Sequence, residues 1–158
     1  MTIQRFSHIG VCVSDMERSR RFYREVLGFR ELTRIEIDGG ASEQLLDLEN
    51  LQLRARILER DGVRIELLHY PSPGTVPGPV PRPMNQPGLS HFAVRVADLE
   101  KTLREIRAAG YAVLENTRIS NPDFQSEVVY VTDPDGLRIE LIEMPGDVDA
   151  PIGEPVPD

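Results

Sequence analysis

Apolar and polar positions alternate from the eighth residue. In "HIGVCV", Ile9, Val11 and Val13 fall on one side of an extended chain, and His8, Gly10 and Cys12 fall on the other. A period of two predicts a half-buried strand. The period then changes. Ser14 and Asp15 offer N-cap chemistry, Met16, Phe22, Tyr23, Val26 and Leu27 gather along one helical face, and Gly28 ends the helix. Alternation returns in "FRELTRIEI", "LQLRARILE" and "VRIELLHY", which predict three further strands, the last entered through Asp61-Gly62.

The whole series is then written again. "FSHIGVCVSDMERS", from Phe6, returns as "LSHFAVRVADLEKT", from Leu89, and "GVRIELLHYP", residues 62–71, returns as "GLRIELIEMP", residues 136–145. In the second copy Asp98 caps a helix, Leu99, Leu103 and Ile106 form its apolar stripe, and Gly110 ends it. "AVLENTRI", "SEVVYVTD" and "LRIELIEM" follow as strands, the last two joined through Asp133-Pro134-Asp135-Gly136. Two copies of so long a unit indicate a duplicated module and not a solenoid. The expected fold is α+β: one domain over 1–145, made of two βαβββ modules at 3–71 and 89–145. Residues 72–88 are proline-rich and form an extended linker, and 146–158 form an acidic, proline-rich tail.

Parity assigns the polar residues to faces. If Ile9, Val11 and Val13 pack on the helix, His8 lies on the open face, and the same count places His91 and Arg95 on the open face of the second module. In the last strands Ile65 with Leu67, and Ile139 with Leu141, pack down. That leaves Arg64, Glu66, Arg138 and Glu140 on open faces. Packing of "LQLRARILE" through Leu51, Leu53, Ala55 and Ile57 would put Arg54 and Arg56 there too. An ionised carboxylate on a hydrophobic strand is costly unless it is paired or bound to a cation. Two imidazoles and two carboxylates, His8, Glu66, His91 and Glu140, make a donor set for one divalent ion, Zn, Ni, Co, Mn or Fe in preference to Ca or Mg.

Composition narrows the partners. A net charge of −8 with a pI near 4.9 argues against nucleic acid as a partner, because phosphate binding needs a dense basic face. There is no apolar run long enough for a membrane span and no secretory signal at the start, so a cytoplasmic protein is expected. One cysteine, Cys12, excludes an internal disulfide framework.

"HIGVCVSDMERSRRFYREVLGF", "VRIELLHY", "GLSHFAVRVADLE" and "VVYVTDPDGLRIELIE" together resemble the vicinal oxygen chelate superfamily, the group of glyoxalases, bleomycin-resistance proteins and extradiol dioxygenases. The resemblance spans residues 5 to 145. It implies paired βαβββ modules whose sheets curl around a cavity, and, by likeness to glyoxalase I, metal binding by His8, Glu66, His91 and Glu140. A divalent ion chelated by two adjacent oxygens of a small-molecule substrate stabilises negative charge as it develops. Glu66 or Glu140 would move the proton, in lyase, isomerase or epimerase chemistry. Arg95, Arg56 and Tyr130 are candidate substrate contacts. An extradiol dioxygenase is the alternative, supported by the spacing from Tyr130 to Glu140 but lacking that group's further upstream histidine. A drug-binding resistance protein without catalysis is the third reading. Exposed sheet edges and the habit of relatives imply a homodimer.

Overall fold

The structure is a computed structural model that describes residues 2–78, 80–123 and 125–150. The first module runs β1 (Ile9–Cys12), α1 (Met16–Arg21), β2 (Arg30–Asp38), α2 (Ala41–Leu46), β3 (Gln52–Arg60) and β4 (Val63–Ser72). The second runs β5 (His91–Arg95), α3 (Leu99–Ala108), β6 (Val113–Asn121), β7 (Ser126–Thr132) and β8 (Arg138–Glu143). Each forms a four-stranded mixed sheet in the same order, β1-β4-β3-β2 and β5-β8-β7-β6, and the two sheets do not close into one. The first strand of each module pairs in parallel with the last. The proline-rich and acidic tail expected at 146–158 falls mostly on residues 151–158, which lie outside the described residues.

Capping follows the sequence. Asp15 and Asp98 are extended N-cap residues that accept from the backbone N–H of Arg18 and Lys101. The first helix departs from expectation. Its α-helical part stops at Arg21 and a π-helical turn carries on over Phe22–Val26, with Leu27 N donating to Phe22 O at 3.2 Å. The wider turn lets the adjacent rings of Phe22 and Tyr23 both be fully buried.

Those rings sit in a core that both modules share. Val11, Val13, Ile65 and Leu67 from the first sheet meet Val129, Val131, Ile139 and Leu141 from the second, with Met16, Leu99, Leu103 and Ile106 from the helices between them. Each fully buried side chain of this kind contributes roughly 1.5–3 kcal/mol. Phe22 stands edge-on to Tyr111 at 4.7 Å, and Tyr23 stacks on Phe92 at 6.4 Å. Polar bonds reinforce the contact between modules. The Ser14 N–H and hydroxyl and the Arg18 guanidinium donate to Asp135, and Tyr23 Oη donates to Asp133 Oδ2 at 3.1 Å. The linker packs here as well. Val80 fills the space where a Cβ on Gly136 would stand.

Because both sheets bury their helix-side faces in one core, their opposite faces point away from each other. The open face of the first sheet carries its own apolar cluster, Leu51, Leu53 and Ala55 with Ile35, Ile37, Leu46, Leu48, Leu68 and Tyr70 around them. This corrects the expected parity of β3. Ala55 is paired with Leu68 and Ile57 with Glu66, so Leu53, Ala55 and Ile57 lie on the open face. Arg56 is paired with Leu67 and lies on the helix side. The short helix α2, absent from the sequence expectation, brings in Leu46 and covers part of that apolar surface.

Candidate metal centre

His8 leads into β1, and Gly10, two residues on, is the parallel partner of Glu66 on β4. His8 Nε2 stands 3.0 Å from Glu66 Oε2. The second module repeats this. Ala93, two residues beyond His91, partners Glu140 on β8, and His91 Nε2 lies 3.1 Å from Glu140 Oε2. The other ring nitrogens are engaged alike. His8 Nδ1 lies 3.0 Å from Ser7 Oγ, and His91 Nδ1 lies 2.9 Å from Ser90 Oγ. In the tautomer whose Nδ1–H donates to the serine hydroxyl, each Nε2 keeps a lone pair beside a carboxylate oxygen; in the other tautomer Nε2–H donates to the carboxylate and the serine hydroxyl donates to Nδ1. The first arrangement leaves two acceptors that a cation between them would satisfy.

The spacing suits a metal ion. Octahedral bonds of about 2.1 Å put neighbouring ligand atoms about 3 Å apart, and each imidazole–carboxylate pair has that separation, which is also that of an N–H···O hydrogen bond. The four residues fall into two pairs in one chain. Among the described residues no three His, Cys, Asp or Glu side chains come together as a metal site. One imidazole–carboxylate pair thus lies on the open face of each sheet.

The three expected substrate contacts separate. Tyr130 is paired with Glu140 on the open face of the second sheet, and its ring meets the His91 ring edge-on at 5.4 Å. Burial, then the Glu140 charge, pushes its hydroxyl above the usual tyrosine value, against the opposing charge of Arg138. Arg95 keeps open-face parity beside Ile142, but its guanidinium is spent on the carbonyls of Met144, Pro145 and Asp147. Arg56 is buried on the far side of the first sheet, 3.9 Å from Glu31 and 3.6 Å from Glu36. Neither arginine stands beside an imidazole–carboxylate pair.

Ser7 and Ser90 went unnoticed in the sequence, although each precedes its histidine in both copies of the repeated block. Partners of this kind fix the tautomer and direction of a metal-binding ring, and losing one weakens metal affinity about ten- to hundredfold. Ser90→Ala is expected to raise the metal dissociation constant by that factor while leaving the melting temperature within about 4 °C, since losing one hydrogen bond at a half-buried side chain costs about 1 kcal/mol. A competition titration against a metallochromic chelator checks it. Unchanged affinity would remove the serines from the site.

Residues 5–141 match the Glyoxalase/Bleomycin resistance protein/Dioxygenase superfamily, and the chain belongs to that family. It is 30% identical to the Bacillus subtilis protein YwkD over 90% of this chain and 99% of that one. It is also 30% identical to a lactoylglutathione lyase of Haemophilus influenzae, over 86% of this chain and 90% of the relative. A glyoxalase family protein from Bacillus cereus has the same fold, with a TM-score of 0.80 at 18% identity over 92% of this chain and 97% of that one.

Proposed function

We propose that the chain is a divalent-metal-dependent enzyme of the glyoxalase type, performing lyase, isomerase or epimerase proton transfer on a small substrate that offers two adjacent oxygens. The carrying observation is the pair of matched imidazole–carboxylate couples, each with donor atoms about one coordination edge apart. Likeness to a lactoylglutathione lyase supports the glyoxalase type. The shared core on the helix sides of both sheets supports a quartet formed between two copies, His8 and Glu66 of one protomer meeting the partner's His91 and Glu140. This reading makes the protein a homodimer, and we place it in the cytoplasm.

One ion of Zn, Ni, Co, Mn or Fe, held by these four residues, would supply Lewis acidity to the chelating oxygens. The chain's own residues do the rest. Glu66 or Glu140 accepts the substrate proton and returns it, the apolar surface of Leu53, Ala55 and Leu68 beside Glu66 excludes water, and Tyr130 borders the pair of His91 and Glu140. Elemental mass spectrometry of untagged protein, purified without added metal, tests the reading. About one ion per protomer is expected, with isomerisation of a hemithioacetal or epimerisation of an acyl thioester as the first assays. Protein that takes up no metal after reconstitution would refute it. Iron together with oxygen uptake on catechols would replace proton transfer by ring cleavage.

A further inference from the structure

The two modules differ in the charged pairing beside the histidines. Arg64 lies on the open face of β4, and its antiparallel partner on β3 is Glu59, whose carboxylate takes the Arg64 Nε–H at 3.0 Å. Arg138 holds the equivalent place on β8 and is the direct parallel partner of His91. Its antiparallel partner on β7 is Thr132, which is uncharged. Arg138 makes no hydrogen bond or ion pair among the described residues, and its Nε is buried without an acceptor. An arginine in that position is costly unless something anionic completes it. Among the described residues no carboxylate is paired with it. Glu140 is engaged with His91, and Tyr130 is neutral.

The charge balance agrees with the geometry. In the assembled site a divalent ion is cancelled by Glu66 and Glu140, and Arg64 is cancelled by Glu59. Arg138 is left with one positive charge beside the metal pair, in a chain whose net charge is −8. We infer that Arg138 is a specificity residue. It takes an oxyanion group of the substrate, a carboxylate or a phosphoryl or phosphonyl group, in addition to the two oxygens that chelate the metal. The planar guanidinium makes no bond within the described residues, and its two Nη groups are suited to bidentate capture of such a group. This rests on the metal reading for the chelating oxygens, but the anion contact is made by the chain itself.

The test uses matched probes and full-length protein. Acetohydroxamate offers two chelating oxygens and no further charge; succinic monohydroxamate and phosphonoacetohydroxamate add a carboxylate and a phosphonate. By calorimetry on the metal-loaded protein, one or both anionic probes should bind about ten- to hundredfold tighter than acetohydroxamate. Which of them gains more tells carboxylate from phosphonyl substrates. Arg138→Gln should erase the preference, and Arg138→Lys should keep part of it. A second arm uses metal-free protein. Inorganic phosphate or acetate should raise the melting temperature of the parent over a chloride control of equal ionic strength, and should not raise that of Arg138→Gln. A preference that survives in Arg138→Gln, or its absence in the parent, overturns the proposal. If the loaded protein binds no hydroxamate at all, the metal reading fails, and the metal-free arm alone decides Arg138.

Discussion

Mixing His8→Ala protein with His91→Ala protein, under conditions that exchange subunits, is expected to restore about a quarter of the parental metal content. Each variant alone should carry none through gel filtration, because every site in its homodimer lacks one imidazole. The mixture differs because, in the proposed assembly, each site takes His8 from one chain and His91 from the other, each sheet carrying its own imidazole–carboxylate pair on the face opposite the shared core. Random exchange makes half the dimers mixed, and each mixed dimer has one site with both histidines and one with neither. A site built within one chain cannot be complemented in this way, since each chain carries its own defect. Elemental mass spectrometry of the mixture is the readout. Proven mixed dimers that hold no metal would refute assembly between copies, and metal retained by both single variants would refute the quartet itself.

How much of this was legible in the sequence follows from what alternation encodes. A period of two marks which residues share a face, and His8 with Glu66, and His91 with Glu140, were correctly put on common open faces because Ile65, Leu67, Ile139 and Leu141 are unambiguous packing residues. Alternation does not say which face meets the core. In β3 the run Leu51, Leu53, Ala55 is buried against α2 and Leu68, whereas Leu58 packs on the helix side, so both faces are apolar and the parity was assigned backwards. A helix as short as α2, six residues without a buried side chain, leaves no periodic trace. The packing of modules was also invisible. Apolar faces could be listed from sequence, but which of them would meet, helix side to helix side, depends on Phe22, Tyr23 and the latch to Asp135. The distinction between Arg64 and Arg138 rests on the cross-strand partner, a register that neither strand encodes alone.

Asp133→Ala is expected to cost about 3–4 kcal/mol, a fall in melting temperature of roughly 10 °C. Asp133 is 3% exposed, and its carboxylate serves three donors: the backbone N–H groups of Asp135 and Leu137, at 2.9 and 2.8 Å, and Tyr23 Oη at 3.1 Å. Alanine leaves the buried Tyr23 hydroxyl unpaired and frees the turn that enters β8, two residues before Glu140. Part of the loss is returned, because burial holds the Asp133 carboxyl above its usual range, against the turn amides and Tyr23 that pull it down. The sign follows from that direction. Between the unfolded value, about 4, and the higher folded value, the native state binds more protons, so Asp133 contributes stability at low pH and loses it as pH rises through the folded value. Asp133→Asn keeps an acceptor for both turn amides and offers an amide N–H to Tyr23 Oη. It should therefore melt near the parent at pH 7 and lack this residue's share of the stability change above pH 4. Thermal melts of the parent and both variants from pH 4 to 7 measure this. An alanine variant within 2 °C of the parent would show that the turn and Tyr23 are held by other contacts, and that the placement of β8 does not depend on Asp133.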